Sequence, residues 1–419
     1  MKLVSFLLAL SILISTASAF TIPWAGPVTS PAATGLVPVA SFEGGHRFSA
    51  GDYPVVVLSG TYREMGRQYG ALMKTELNDE YRFILEGLAK RGYTKEDIRS
   101  MGREAAVLYP ERQMEIFSGM AETSGLTVDD FLVLYNGPAL YLTLPRVSAS
   151  CSYLAAWGDY TKDGSAVVSR NWDLGDVMLP FVPWHVLVVY RPSDGSNGVA
   201  TFGPAGTRHE TLVNSKGLFI ADDNAGFLEE APDIRPDIVS EFFRLMLDYS
   251  DLDGLTTGLR GTRPNLAWIV DVAGPDNAYV YEVTTTEMKP RTGDGVVAAA
   301  NHFVNESWNM TTPLPDHSVS RYENLLSQAG EAKGSIDAAK MMAIRDVPWE
   351  NGGATFVHSV LSPDYPDERF STIHQVVFAP KLMTLSLKVP GRNWQEIRLG
   401  SLFGDMSAGR PLCFPGLFK

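Results

Sequence analysis

CSYLAAWGDYTKDGSAVVSRNWD, residues 151–173, separates two parts of the chain that differ in secondary-structure pattern. Residues 152–157 and 166–170 have the apolar and β-branched composition of strands. Between them, residues 159–164 read DYTKDG, and the Asp-Gly pair favours a tight turn. The segment therefore predicts a β-hairpin that starts at Cys151 and ends in Arg-Asn-Trp-Asp, residues 170–173.

Upstream of this hairpin the pattern is mostly helical. Residues 54–58 (PVVVL) predict a short strand, and residues 62–142 predict helices. Thr94 and Thr127 mark helix starts, because each is followed three residues later by an acid. Residues 20–50 are rich in Pro, Gly, Ala and Ser, so we expect an extended leader there.

Downstream of residue 151, strand-like runs outnumber helical ones. The predicted strands are residues 185–190, 211–213, 218–221, 266–272, 278–283, 296–300, 373–379 and 383–389. The predicted helices are residues 238–249, 318–326 and 336–345. The pattern predicts an α+β fold in which a sandwich of sheets is flanked by helices.

Composition excludes several classes of protein. The chain has 419 residues, of which 45% are hydrophobic and 20% charged, as in globular proteins. Its net charge of -13 disfavours nucleic acid and anionic membrane surfaces as partners. Two cysteines, Cys151 and Cys413, cannot form a disulfide framework or a cysteine-rich zinc site. The sequence has no H-E-x-x-H, Walker A or G-x-S-x-G motif, so we expect neither a metal nor an organic cofactor.

The N-terminus has the pattern of a secretory signal peptide, residues 1–19. Lys2 precedes an apolar run over residues 3–14, and small residues lead to Ala19. An uncleaved membrane anchor is the alternative. Cleavage after Ala19 would give an extracytoplasmic protein, residues 20–419. Export would make two N-x-S/T tripeptides candidates for glycosylation, those at Asn305 and Asn309.

Cys151 is the candidate nucleophile. If the chain were cut before Cys151, a new α-amino group with a pKa of about 7.7–8.0 would lie beside the thiol and could accept its proton. Asp173 could orient that amine, and Arg170 would favour the thiolate. The alternatives are that Cys151 is a small buried hydrophobic residue or forms a disulfide with Cys413.

The same hairpin residues resemble those of the cysteine N-terminal-nucleophile (Ntn) hydrolases. These linear amide C–N hydrolases include the isopenicillin N acyltransferase-like branch, the choloylglycine hydrolases and the acid ceramidase-type amidases. Further segments resemble landmarks of that superfamily in the same order: residues 60–70, 213–218, 300–303, 318–322, 357–360 and 372–378. The chain departs from the pattern in a longer spacing between Cys151 and Arg170 and in Ala300, where a Thr is usual.

The resemblance implies a four-layer αββα fold and self-cleavage between Ser150 and Cys151. The products would be a helix-rich chain, residues 20–150, and a catalytic chain, residues 151–419. By resemblance, Cys151 is the nucleophile, Arg170 and Asp173 hold its amine and thiol, and the Asn301 side chain donates to the oxyanion. The Asn214 main chain would complete the oxyanion hole, and Arg321 would support the thiolate or the structure; plain structural roles for Asn214 and Arg321 are the alternative.

Several further residues are assigned to the acyl pocket, the core or the surface. Tyr153 and Trp172 are candidates for the acyl pocket, although aromatic strand residues usually belong to the core. His302, His358 and His374 are expected to be supporting or core residues. The acid pair Asp222-Asp223 is expected at a solvated edge.

Three functions remain open from the sequence. The first is a secreted, autoprocessing hydrolase of a small acyl amide, partnered by its own N-terminal subunit. The second is an acyltransferase, and the third is a non-enzymatic binding protein with a Cys151–Cys413 disulfide. A homo-oligomer of the chain stays open alongside these functions.

Overall fold

The computed structural model describes residues 35–143, 150–225, 230–310, 314–357, 360–361 and 369–404. The predicted signal peptide, His358 and Cys413 lie outside these residues. Within them, no helix is both long and apolar enough to cross a bilayer.

The strands and helices are numbered in chain order. The strands are β1 Val37–Phe42, β2 Gly45–Ala50, β3 Tyr53–Gly60, β4 Ser152–Gly158, β5 Gly164–Gly175, β6 His185–Pro192, β7 Val199–Pro204, β8 Thr211–Asn214, β9 Phe219–Asn224, β10 Trp268–Ala273, β11 Ala278–Val283, β12 Met288–Arg291, β13 Val296–Ala299, β14 Val360–Leu361, β15 Arg369–Ala379, β16 Thr384–Lys388 and β17 Gln395–Arg398. The helices are α1 Tyr62–Leu72, α2 Lys74–Ala89, α3 Lys95–Ala105, α4 Glu111–Ser124, α5 Val128–Thr143, α6 Ile238–Asp248, α7 Leu252–Gly261, α8 Asp316–Glu331, α9 Ala338–Arg345 and α10 Gly400–Phe403.

The strands form two sheets. The larger sheet has the order β1-β2-β3-β6-β7-β8-β9-β10-β11-β12, and its neighbours are antiparallel except for the parallel pair β3 and β6. The smaller sheet has the order β13-β4-β5-β15-β16-β17, with β14 paired to β15. The predicted hairpin is confirmed as β4 and β5, which pair antiparallel at the centre of the smaller sheet.

Alternating side chains of β4 show how the smaller sheet is packed. Tyr153 stacks on Phe219 of the larger sheet, with ring centroids 5.9 Å apart. Leu154, on the opposite face, belongs to a second apolar cluster with Leu325 of α8 and Met341 of α9. Because successive strand residues point to opposite faces, β4 lies between the larger sheet and a helical layer.

Helices also cover the face of the larger sheet that points away from the smaller sheet. His185 of β6 contacts His374 of the smaller sheet, with ring nitrogens 3.1 Å apart. Five residues later, Tyr190 points the other way and packs on Phe243 of α6 and Tyr69 of α1. Helices therefore flank a pair of facing sheets, and the expected α+β class is confirmed.

The prediction of an extended leader is wrong for residues 37–50. These residues form the hairpin β1 and β2, which adds to the edge of the larger sheet through β3. The turn needs positive φ at Glu43 (46°) and Gly44 (83°). Sequence reasoning also missed β7, β12 and β17, because short strands carry weak periodicity, and α7, because its three glycines disfavour a helix.

The helical region before the hairpin is confirmed. Thr61 and Thr94 each form a reciprocal capping box with the acid three residues later. Thr127 and Asp130 exchange the same pair of bonds at the start of α5, at 3.0 and 3.2 Å. The closest helix pair is α1 and α4, where Gly66 and Gly119 let the two backbones touch.

We expect Gly119→Ala to destabilise the protein by about 3 kcal/mol, the upper end of typical overpacking costs. A Cβ at this position would overlap the Arg63 carbonyl oxygen, which is backbone and cannot turn aside. Gly330→Ala is the matched control, since a Cβ at that helical position meets nothing within 4 Å. Urea unfolding measures both variants, and equal stabilities would contradict the close contact of α1 and α4.

Candidate active site

Cys151 lies at the start of β4, where the smaller sheet faces the larger one. Its side chain is buried, at 3% exposure, and it has no disulfide partner among the described residues. The residue before it is tied to the hairpin, since the Ser150 N–H donates to the Asp173 carbonyl oxygen at 2.8 Å. Burial raises the pKa of the Cys151 thiol well above its ordinary value, and the Arg170 guanidinium offsets part of that rise.

Arg170 contacts the Cys151 thiol on the face of β5 that points to the larger sheet. Its Nη2 lies 3.5 Å from Cys151 Sγ and also donates to the Asp222 carbonyl oxygen. Its Nη1 donates to Thr211 Oγ1 at 2.7 Å, and its Nε lies 3.8 Å from Asp223 Oδ1. The guanidinium is fully buried and thus locked by the larger sheet. It places a fixed positive charge beside the sulfur, as a thiolate requires.

Asp173 points to the opposite face of β5, as its spacing of three from Arg170 demands. Its carboxylate accepts a hydrogen bond from the Thr372 hydroxyl and lies 3.5 Å from Nη1 of Arg321. Burial raises the pKa of Asp173 to about 7, against the opposing influence of Arg321 and Thr372. The carboxyl can therefore hold or release a proton near neutral pH.

Arg321, on α8, binds the backbone on both sides of the Ser150–Cys151 peptide bond. Its Nη1 donates to the Ser150 carbonyl oxygen at 2.6 Å and to the Cys151 carbonyl oxygen at 2.8 Å. Its Nη2 donates to Asn301 Oδ1 at 2.9 Å. The guanidinium is fully buried, so its charge acts on these carbonyls with little screening by water.

Asn301 follows β13 and completes the group. While Arg321 binds its Oδ1, its Nδ2 donates to the Asn224 carbonyl oxygen at 3.1 Å. The structure thus brings together five of the six predicted catalytic positions: Cys151, Arg170, Asp173, Asn301 and Arg321.

Asn214 is not part of this group, so its assignment to the oxyanion hole is corrected. Its backbone N–H donates to the Leu218 carbonyl oxygen at 3.0 Å, so this donor is already used within the sheet. Its side chain closes the β8–β9 turn by accepting from the N–H groups of Lys216 and Leu218, both at 3.0 Å. Asn224, ten residues later, is the neighbour that reaches Asn301.

Tyr153 and Trp172 are buried core residues rather than an open pocket lining. Tyr153 has no exposed surface, and its hydroxyl donates to the Val272 carbonyl oxygen at 3.2 Å. Trp172 stacks on His374 with ring centroids 4.9 Å apart. Its Nε1 donates to Glu210, whose carboxylate lies 3.8 Å from Arg170. Trp172 is therefore linked to Arg170 of the candidate active site through Glu210.

The expectation of a solvated edge at Asp222 and Asp223 is wrong. Both are buried at the end of β9 and lie 3.8–3.9 Å from Arg170. Burial raises the pKa of Asp223 to about 6 and that of Asp271, on β10, well above its ordinary value. Asp223, which ionises below neutral pH, can therefore balance the buried Arg170 charge, a role that adjacent acids do not reveal in sequence.

Sequence reasoning missed further residues around the site. Arg345 of α9 is fully buried and binds Ser152 Oγ at 2.9 Å and Ser169 Oγ at 2.8 Å, so it clamps β4 to β5. Of the expected supporting histidines, His302 lies 2.7 Å from Ser318 Oγ and His374 contacts His185. Within the described part of the chain, no group of three or more His, Cys, Asp or Glu is arranged to hold a metal ion.

Comparisons with known proteins gave few matches by sequence. No protein-family model matches the chain. Among curated proteins, "Protein dcd1B" of Dictyostelium discoideum is 26% identical in an alignment of 187 residues that covers 38% of this chain and 36% of that protein. The match thus spans about a third of the length of that relative.

Solved structures give matches over more of the chain. Two variants of the conjugated bile acid hydrolase of Clostridium perfringens are 13% identical, cover 61% of this chain and 95% and 94% of their own, and have TM-scores of 0.43 and 0.41. The penicillin V acylase of Agrobacterium tumefaciens is also 13% identical, covers 59% of this chain and 86% of its own, and has a TM-score of 0.41.

Proposed function

We propose that this protein is an autoprocessing cysteine amidase. It cleaves itself between Ser150 and Cys151 and then hydrolyses a linear, non-peptide amide through a Cys151 thioester. One observation carries this proposal: two buried guanidinium groups contact the two groups that would react in self-cleavage, the Cys151 thiol and the Ser150 carbonyl. Arg170 lies 3.5 Å from the thiol sulfur, and Arg321 lies 2.6 Å from the Ser150 carbonyl oxygen.

In the self-cleavage step, Cys151 Sγ attacks the Ser150 carbonyl carbon. Negative charge develops on the carbonyl oxygen, where Arg321 Nη1 already donates. The C–N bond then breaks, the nitrogen takes up the proton that the thiol lost and becomes the new α-amino group of Cys151, and the Ser150 acyl group remains on sulfur as a thioester. Water hydrolyses this thioester, which releases the Ser150 carboxylate and the free thiol.

The same thiol then reacts with the amide of an external substrate. The new α-amino group accepts the thiol proton, the sulfur attacks the substrate carbonyl, and the amine leaves with that proton. Water hydrolyses the second thioester. Asn301 is suited to the oxyanion of this step, since Arg321 fixes its Oδ1 and its Nδ2, which gives one N–H to the Asn224 carbonyl oxygen, has a second N–H to donate.

The products would be chains of residues 20–150 and 151–419, and the N-terminal pattern supports secretion of the protein. We expect the two chains to stay associated after the cut. Residues on both sides share one apolar core, for example Phe117 and Tyr135 before the cut and Phe243 and Tyr190 after it.

The deciding test is the intact mass of the purified wild type, followed by a screen of chromogenic acyl amides of varied chain length. A chain that begins at Cys151 and releases amine from an acyl amide supports the proposal. An intact, active chain would contradict it. Adding a competing amine separates hydrolysis from acyl transfer by the ratio of the two acyl products. Thiol titration under denaturing, non-reducing conditions tests the disulfide alternative.

We expect self-cleavage to accelerate as the pH rises from 5 to 8, with a midpoint set by Asp173. The pKa of this carboxyl is raised to about 7, so the fold favours its protonated form below that pH. Only the carboxylate can accept a proton or oppose the charge of Arg321, and it predominates above about pH 7. Precursor purified at pH 5 and shifted to higher pH gives the rates by gel densitometry.

Asp173→Asn is the matched variant for this profile. Its side chain keeps the shape but does not titrate, so the step near pH 7 should disappear. Any remaining rise of the cleavage rate with pH should reflect ionisation of the Cys151 thiol, whose pKa lies well above its ordinary value. An unchanged midpoint in Asp173→Asn would assign the titration to another group.

A further inference from the structure

A second concave site lies away from the buried thiol. It is a solvent-open cleft of about 460 Å³ between the end of α7, the segment that leads to β10, and the turn between β11 and β12. This volume falls within the usual range of small-molecule sites. Three arginines line it together with threonines, so it suits a charged group better than an acyl chain: Arg235, Arg260 and Arg263.

The cleft carries an excess of positive charge. Arg235 is held by Asp233 at 2.6 Å and donates to the Thr285 carbonyl oxygen, which fixes its guanidinium in the wall. Arg260 and Arg263 have no carboxylate within 4.0 Å among the described residues, whereas Glu287 is paired with Lys289 at 3.4 Å.

This concentration of positive charge stands out in a chain with a net charge of -13. Guanidinium groups that line a cleft and are not neutralised by a carboxylate are well suited to bind a carboxylate or phosphate. The cleft therefore has the charge and the donors of an oxyanion site.

Strand register places one lining residue of the cleft, Val283, two strands away from the candidate active site. Val283, which lines the cleft, pairs with Trp268, and Trp268 pairs with Asn224 on the next strand. Neighbouring strands lie about 4.8 Å apart, so Val283 lies about 10 Å from Asn224. The Asn224 carbonyl oxygen is the group that accepts from Asn301.

We propose that this cleft binds an oxyanion group, a carboxylate or a phosphate, carried by the substrate at a distance from its scissile amide. This inference rests on the proposed amidase function and narrows it to acyl amides with an anionic group. Arg260 and Arg263 supply the unpaired charge, and Arg235 supplies a fixed donor in the wall.

Equilibrium binding tests the cleft without any need for catalysis. Calorimetric titrations would use hippurate, its neutral analogue hippuramide, and inorganic phosphate. We expect wild type to bind hippurate at least about tenfold more tightly than hippuramide, the scale of one charge-assisted hydrogen bond. Arg260→Gln/Arg263→Gln should lose that preference. Competition by phosphate indicates a general oxyanion site, and binding of phosphate alone indicates a phosphate-bearing substrate.

Arg82→Gln/Arg398→Gln is the matched control, because it removes the same charge from two exposed positions elsewhere. Equal loss of anion binding in the control and the cleft variant would overturn the proposal, as would equal affinity of wild type for hippurate and hippuramide. If wild type cleaves no amide yet binds the anion, the amidase proposal fails and the anion site stands. If wild type cleaves amides without any preference for an anionic group, the anion site fails and the amidase proposal stands.

Discussion

Cys151→Ala is expected to remain one uncut chain and to release no amine from any acyl amide. The thiol is the nucleophile for both reactions, and no other group in the site can take its place, so both rates should fall to background. Intact mass spectrometry and an amine-release assay, run on the same preparation, measure the two losses together.

Cys151→Ser sharpens this expectation. The hydroxyl has the same shape as the thiol, although it is smaller and a stronger hydrogen-bonding group, and it is a much weaker nucleophile at neutral pH. We expect cleavage that is slow but still located between residues 150 and 151. A Ser variant that is cut at the same bond shows that the geometry, with Arg321 on the carbonyl, drives the reaction once any nucleophile is present.

Cys413→Ala is the control for loss of a thiol. It should be cut and active like wild type, because the proposed chemistry needs only Cys151. Cleavage of Cys151→Ala at the same peptide bond would point to an external protease. Unreactive thiols in wild type, together with an uncut chain that releases no amine, would favour the disulfide protein instead.

The hairpin could be predicted because its signals are local. Strand composition, an Asp-Gly turn and the change of pattern at Cys151 all lie within residues 151–173. The sequence could not show which partner each side chain meets. Arg170 and Asp173 are three residues apart on one strand, so Arg170 faces Asp222 of the larger sheet and Asp173 faces Arg321 of α8.

Asn214 shows where a motif misleads. Asn before a Gly-containing turn is a turn residue by its own chemistry, since its side chain caps nearby N–H groups. The structure uses Asn214 in this way, whereas Asn224 reaches the site because β9 ends there. The prediction of a solvated edge at Asp222 and Asp223 fails for a related reason. Their burial depends on Arg170, which is more than fifty residues earlier in the chain.

Arg321→Met is expected to slow self-cleavage by about 10²–10³-fold, the usual cost of removing one oxyanion donor. The guanidinium donates to the Ser150 carbonyl oxygen at 2.6 Å, the atom on which negative charge would develop. It also orients Asn301, so amide hydrolysis should fall as well. Pulse labelling followed by gel analysis gives the rate of cleavage directly after synthesis.

Arg321→Lys separates charge from geometry. Lysine keeps the positive charge, but a single ammonium group cannot reproduce the fork that reaches Ser150, Cys151 and Asn301 together. We expect its cleavage rate to lie between those of wild type and Arg321→Met. A rate equal to that of wild type would mean that only charge matters.

Arg345→Met is the matched control for burial. Arg345 is also fully buried, but it binds Ser152 and Ser169 and has no hydrogen bond to the Ser150 carbonyl within the described residues. Thermal melts should show that both Met variants lose stability, because each removes a buried, hydrogen-bonded guanidinium. Cleavage at temperatures well below both melting points should be slowed far more in Arg321→Met. Equal slowing would reduce Arg321 to a structural residue, and rapid cleavage of Arg321→Met would remove it from the reaction.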